Sequence, residues 1–148
     1  MLDIDPDKHS FDQVVEVAQA IHEILEGAGV TALSKTSGST GLHIYIPLQG
    51  NYTYDQSLEF ALLISTLVQR HLPDLTSLER AVPKRKGKIY LDYMQNKQQG
   101  TIAAPYSVRP KREAPVSMPL HWNGWRRRGG ISCLLSAVKY PTCIALRC

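Results

Sequence analysis

A chain of 148 residues, 43% apolar and 20% charged, is long enough for one domain with a buried core, and no apolar run reaches the roughly 18 residues a membrane helix needs. Its net charge of +4 leans towards anionic partners such as nucleic acid, with the base gathered in "PKRKGK" (83–88), "RPKRE" (109–113) and "WRRRGG" (125–130). The acidic start "MLDIDPDKHSF" lacks the order of a secretory signal, so a cytoplasmic location is expected; Cys133, Cys143 and Cys148 fit neither a zinc spacing nor a closed disulfide set.

In chain order, "LDID" (2–5) alternates apolar and acidic residues and reads as a strand, with Pro6 suited to the first turn of a helix. Apolar residues at Val14, Val17, Ala18, Ile21, Ile24 and Leu25 then mark a helical stripe, ended by Gly27 and Gly29. "VTALSKT" (30–36) and "LHIYIPL" (42–48) flank the turn "SGSTG" as a hairpin. Residues 56–72 form a second helix, "LPDLTSLERAVPKRKG" a basic connector, and "KIYLDY" (88–93) another strand; residues 94–120 are rich in turns and proline. The order β-α-β-β-α-β predicts an α+β fold of the split βαβ, RNA-recognition-motif-like type, with two helices on one sheet face and the other face free.

Strand side chains alternate between faces. With Leu2, Ile4, Leu42, Ile44, Ile46, Ile89 and Leu91 turned to the helices, Asp3, Asp5, His43 and Asp92 share the opposite face, together with Tyr45 and Tyr90. Three carboxylates on neighbouring strands repel unless a cation sits among them, and Mg²⁺ or Mn²⁺ suits hard oxygen ligands. If they lie on adjacent strands, the acids are expected to converge to roughly 4–6 Å, with His43 further out. Singly, each residue has an ordinary reading: Asp5 as a helix N-cap, Asp92 and His43 as surface residues, "SGSTG" as a plain hairpin turn or a nest of backbone N–H groups for an anion.

"LDIDP", "KTSGSTGLHIYIPL", "IYLDYMQN" and "TIAAPYSVRPKREAPVSMPLHW" resemble, in order and spacing, the polymerase domain of bacterial DNA ligase D, a primase-like polymerase of non-homologous end joining in the archaeo-eukaryotic primase superfamily. The resemblance covers residues 1–122. It implies DNA repair by two-metal nucleotidyl transfer of NTP or dNTP onto the 3′-OH of a DNA end, with Mn²⁺ or Mg²⁺ on Asp3, Asp5 and Asp92. It also implies that Lys35, Ser37, His43 and Arg109 bind the nucleotide, that Ku and a ligase domain are partners in full-length relatives, and that the protein is cytoplasmic and nucleoid-associated, with no membrane partner.

Two departures from the family pattern shape the remaining expectations. Relatives carry over a hundred residues before the Asp-x-Asp motif, including a part that binds the 5′-phosphate of a break. After "PLHW" this chain reads "NGWRRRGGISCLLSAVKYPTCIALRC", which gathers every cysteine and an Arg run. The expectation is an incomplete catalytic core at 1–122, weak or inactive as a fragment, followed by an aberrant, frameshifted or poorly ordered tail at 123–148. The alternative is a non-catalytic, RNA-recognition-motif-like binding module that stacks bases on Tyr45 and Tyr90. A phosphohydrolase using Asp3 as nucleophile is disfavoured by Pro6 directly after the acids and by the lack of a later Lys motif.

Overall fold

The computed structural model describes residues 1–122, in the order β1 (Leu2–Asp5), α1 (Phe11–Gly27), β2 (Leu33–Thr36), β3 (Leu42–Tyr45), α2 (Tyr54–His71), β4 (Thr76–Ser77), a 3₁₀ turn at Val82–Arg85, β5 (Ile89–Asp92) and β6 (Pro119–Leu120). The expectation for 123–148 lies outside the described residues. One six-stranded sheet runs β4-β5-β1-β3-β2-β6. β1 sits at its centre, antiparallel to β3 and β5, while β3 separates β1 from β2. That is the expected split βαβ core, extended by β4 and β6. Neither was expected, because two-residue strands are too short to show an alternation.

Both helices lie on one face. Leu2, Ile4, Leu42, Ile44, Ile89 and Leu91 from the sheet meet Val14, Val17, Ala18, Ile21 and Leu25 of α1 and Ala61, Ile64 and Val68 of α2, all buried. Each such aliphatic side chain contributes about 1.5–3 kcal/mol on leaving water. β3 approaches β1 so closely at its start that a Cβ on Gly41 would lie 2.2 Å from the Ile4 carbonyl oxygen, so only glycine fits there.

Two boundaries differ from expectation. α1 starts at Phe11, not at Pro6, because Ser10 caps it: the Ser10 side chain accepts from Gln13 N–H while the Gln13 side chain accepts from Ser10 N–H. Pro6 to His9 instead forms a turn closed by His9 N–H on the Pro6 carbonyl at 2.9 Å. β2 and β3 are shorter than 30–36 and 42–48, ending where the chain leaves the ladder at Leu33 and Tyr45.

The second sheet face is not free. The chain after β5 returns across it, joined by a Val108–Val116 bridge and by β6 on the edge of β2. Trp122 closes this return, donating from Nε1 to the Ala32 carbonyl at 2.8 Å and stacking on His22 at 4.0 Å. Among the described residues, no helix is long and apolar enough to cross a membrane.

Candidate active site

β1 carries the centre of the site. Because it pairs on both sides, Asp3 stands opposite His43 of β3 and opposite Asp92 of β5, and Asp5 stands opposite Tyr90. Directly opposed side chains on one face are the nearest cross-strand neighbours. The register therefore brings Asp3 and Asp92 together, one strand spacing apart, as the sequence pattern implied.

Asp5 behaves differently. Half exposed, it turns to Arg85, whose Nη1 lies 3.3 Å from Asp5 Oδ2, and its Oδ1 accepts the Asp7 N–H at 3.4 Å. Among the described residues no three acidic, His or Cys side chains are gathered into a preformed cage. The expected three-way convergence is thus a close pair, Asp3 and Asp92, with Asp5 drawn aside by a guanidinium.

Arg85 is the residue that sequence reasoning missed. Its Nε and Nη2 donate to the carbonyls of Glu79 and Arg80, both at 3.0 Å, and its guanidinium lies 4.0 Å from the centroid of the Tyr90 ring. The 3₁₀ turn that aims it ends at Lys86 with φ 54°, and the Asp5 contact spans 80 residues of chain. The only local signal was one Arg inside a basic run.

Asp92 is held by its own turn: Oδ1 accepts Met94 N–H at 2.9 Å and Oδ2 accepts Gln95 Nε2–H at 3.1 Å. Asp3 is largely buried, and its carboxyl is pushed up to about 7, first by burial and then by the charges of Asp92 and Asp5. His43 is 6% exposed, so it sits inside the site and not further out as expected. The chain returning over this face covers it. Burial, with the positive charges of Lys35 and Arg109, lowers its pKa to about 4.

His43 Nε2 lies 3.4 Å from Asp3 Oδ1. An ion pair would lower the acid and raise the imidazole, and both move the other way. The contact therefore joins a neutral imidazole to a carboxyl that holds its proton until near neutrality. Among the described residues, the buried His43 Nδ1 has no hydrogen-bond partner.

The Ser37 turn has its hydroxyl at the centre. Ser37 Oγ accepts the N–H groups of Ser39 and Gly41, both at 3.1 Å, and Ser37 N–H closes on the Gly41 carbonyl at 2.9 Å. The amides that could cradle an anion thus converge on Ser37 Oγ, which leaves its O–H as a polarised outward donor. Arg109 reaches the same place from the return chain; its backbone N–H donates to the Pro115 carbonyl at 2.8 Å, and among the described residues its buried Nε has no partner. A Cβ on Gly38 would lie 2.6 Å from Arg109 Cγ, so this glycine lets the two loops touch.

Asp3, Asp5, Ser37, His43, Asp92 and Arg109 all line one cavity of about 250 Å³, with Arg85 and Tyr90 at its wall. Lys35 does not. It lines a neighbouring, mostly apolar cavity of about 500 Å³ with Tyr45, Pro119 and Leu120. A larger cavity of about 660 Å³ beside α2, lined by Val30, Ile46, Phe60 and Leu63, holds no cluster of titratable groups, so size does not mark the chemistry here. The 250 Å³ cavity pairs hard oxygen donors with unsatisfied nitrogen donors. Its three carboxyl groups outnumber its two guanidinium groups, Arg85 and Arg109, a donor set that fits a divalent cation beside a phosphate once Asp3 has given up its proton.

The sequence matches the family described as "LigD, primase-polymerase domain" over residues 1–129. It is similar to the bifunctional non-homologous end joining protein LigD of Bacillus subtilis, 34% identical over 125 residues that make up 83% of this chain and 20% of that protein. The multifunctional non-homologous end joining protein LigD of Pseudomonas aeruginosa is 35% identical over 121 residues, 81% of this chain and 14% of its own length. Among solved structures, the polymerase domain from Mycobacterium tuberculosis Ligase D in complex with DNA superimposes with a TM-score of 0.77 at 28% identity, covering 94% of this chain and 50% of that one. The chain spans a fifth or less of these two curated relatives.

Proposed function

The chain belongs to the LigD primase-polymerase domain family, and from that premise we propose that its 250 Å³ cavity performs nucleotidyl transfer onto the 3′-OH of a DNA end. The observation that carries the reading is the register of β1, which sets Asp3 against Asp92 on one side and His43 on the other, under an unpartnered Arg109 Nε. Asp3, Asp92 and, once it leaves Arg85, Asp5 would hold Mn²⁺ or Mg²⁺. Bound there, such a cation supplies Lewis-acid stabilisation of the attacking and leaving oxygens.

The chain's own groups have distinct tasks. Ser37 O–H and Arg109 bind the phosphates, the latter by charge-assisted hydrogen bonds. Neutral His43 offers Nδ1 to the nucleotide without adding charge beside the acids. Asp3 gives up its proton before it can accept a cation. Lys35 adds positive potential from behind the phosphate site. Lys84, Lys86 and Arg112 are exposed, and Lys84 and Lys86 flank Arg85 in sequence; they suit contact with a DNA backbone. The mycobacterial neighbour, solved with DNA, supports this choice of partner, and the end-joining names of the relatives support a role in DNA repair; Ku, a ligase domain and a cytoplasmic place at the nucleoid enter the proposal through the family resemblance alone.

The base-stacking alternative has less support. Tyr90 is buried beneath the Arg85 guanidinium, so the pair of tyrosines needed for a stacking platform is not open.

Primer extension tests the reading. With Mn²⁺, the full chain is expected to add one or a few nucleotides to a gapped or primed DNA, slowly, and Asp92→Ala is expected to abolish the addition. Equal extension by the wild type and Asp92→Ala would reject the carboxylate site as the seat of catalysis.

A further inference from the structure

Lys35 is 2% exposed, yet among the described residues no carboxylate pairs with it: Asp3 lies against the neutral His43 imidazole and Asp5 against Arg85. A buried cation without a counter-ion is costly and needs good hydrogen bonds to persist. Lys35 finds them in two oxygens. Its Nζ donates to Ser117 Oγ at 2.6 Å and to the Thr36 carbonyl at 3.3 Å.

Ser117 is fully buried, and its Oγ also donates to the Thr36 carbonyl at 2.7 Å. One hydroxyl proton and two lone pairs allow both bonds at once. The Ser117 backbone is committed as well: its N–H donates to the Ser107 carbonyl at 3.0 Å, and its carbonyl accepts Tyr106 N–H at 2.6 Å. Those two bonds tie down the hairpin that carries Arg109. Next to Ser117, Met118 and Thr36 exchange backbone and side-chain bonds at 2.8 Å. Ser117 therefore joins the Lys35 ammonium, strand β2 and the Arg109 hairpin at a single buried point.

Lys35 lines the apolar neighbouring cavity and not the carboxylate cavity, with its Nζ 5.8 Å from the centroid of the Tyr45 ring. It nevertheless acts on that cavity through space, since Asp3 and Arg109 are the charges that act on it in turn. In a partly dehydrated site a fixed charge acts over several ångströms without contact.

We propose that Ser117 and Lys35 form one positioning unit, in which Ser117 fixes the Lys35 ammonium behind His43 and Asp3 so that its charge strengthens the hold of the cavity on the polyphosphate of a nucleoside triphosphate without touching it. The proposal rests on the polymerase reading for the identity of the ligand, but not for the Ser117–Lys35 latch itself. Lys35 is then a source of potential and not a phosphate ligand, and Ser117, which touches no substrate, acts through Lys35.

A double-mutant cycle on the full chain tests this, with ATP and Mn²⁺ as the probe and calorimetric titration as the readout. Lys35→Met is expected to weaken ATP about tenfold and Ser117→Ala about fivefold, while the double variant binds no worse than Lys35→Met alone. Losses that multiply in the double variant would show that Ser117 acts by general packing, and would overturn the unit. In a second arm without nucleotide, acylation of lysines is read by mass spectrometry. Ser117→Ala is expected to speed labelling of Lys35 about tenfold, with Lys88, whose Nζ sits on the Pro73 carbonyl, unchanged. Unchanged labelling of Lys35 would overturn the latch. If Ser117→Ala fails to fold, Ser117→Cys, nearly isosteric and a weak acceptor, takes its place with the same expected direction. A wild-type chain that takes up no ATP would reject the polymerase reading and the electrostatic role together, and the labelling arm would still decide the latch.

Discussion

The two faces of the same sheet are built on opposite terms. The face under α1 and α2 is aliphatic, and every residue on it reduces the free energy of folding by leaving water. The other face buries Lys35 and His43 and crowds Asp3 against Asp92, with hydrogen bonds and the Arg85 and Arg109 guanidinium groups as partial compensation. One strand serves both: in β1, Leu2 and Ile4 belong to the first face and Asp3 and Asp5 to the second. Stability is thus concentrated on one side of the sheet, which allows the other to hold groups in states they resist.

That contrast can be broken most directly on the aliphatic side. Ile4→Ala is expected to cost about 2–5 kcal/mol, because a fully buried side chain at the sheet centre leaves a cavity between two helices. Urea denaturation measures it, and a loss below about 1 kcal/mol would mean that the core is not where the stability resides.

Asp3→Asn should do the opposite. The Asp3 carboxyl has a folded pKa of about 7 against 3.8 for the free group. The folded protein therefore holds the extra proton between those values, and stability is lost as pH rises from about 4 to about 7. At pH 8 the metal-free variant is expected to be more stable than the wild type by on the order of 2–4 kcal/mol, and at pH 4 about equal to it. Activity would vanish while stability rises. A variant less stable than the wild type at pH 8 would show that Asp3 is satisfied by its neighbours, and the two faces would no longer differ in kind.

Asp5→Asn sharpens the comparison at the small end, since it removes the ion pair and leaves the other contacts of Arg85 in place. Asp5 is half exposed, so the loss of this ion pair is expected to change stability by about 1 kcal/mol or less, and by still less in high salt. A loss of several kcal/mol would make the pair a structural keystone of the charged face.

The sequence revealed the aliphatic face more fully than the charged one, for a physical reason. Helix and strand periods are local, so Leu2, Ile4, Val14, Val17, Ile21 and Leu25 declare their side within a few residues. The same alternation put Asp3, Asp5, His43 and Asp92 on the other side. What alternation does not carry is the third dimension of that side. His43 looked open because the segment that covers it lies some 70 residues later in the chain. Arg85 looked like one cation in a basic run because its partner, Asp5, is reached only through a 3₁₀ turn. Lys35 and Ser117 meet across 82 residues, a contact that no window of sequence shows. β4 and β6 were missed because two residues have no period.

If the charged face serves a divalent cation, the ion sits between Asp3 and Asp92. Direct titration of Mn²⁺, followed by its electron paramagnetic resonance signal at pH 8, tests this without relying on catalysis. The wild type is expected to bind Mn²⁺ and to bind it more weakly at pH 6, where Asp3 keeps its proton; Asp92→Asn, with its fold intact, is expected to lose at least about tenfold in affinity. Equal binding by the wild type and Asp92→Asn, or binding that does not weaken between pH 8 and pH 6, would contradict the account.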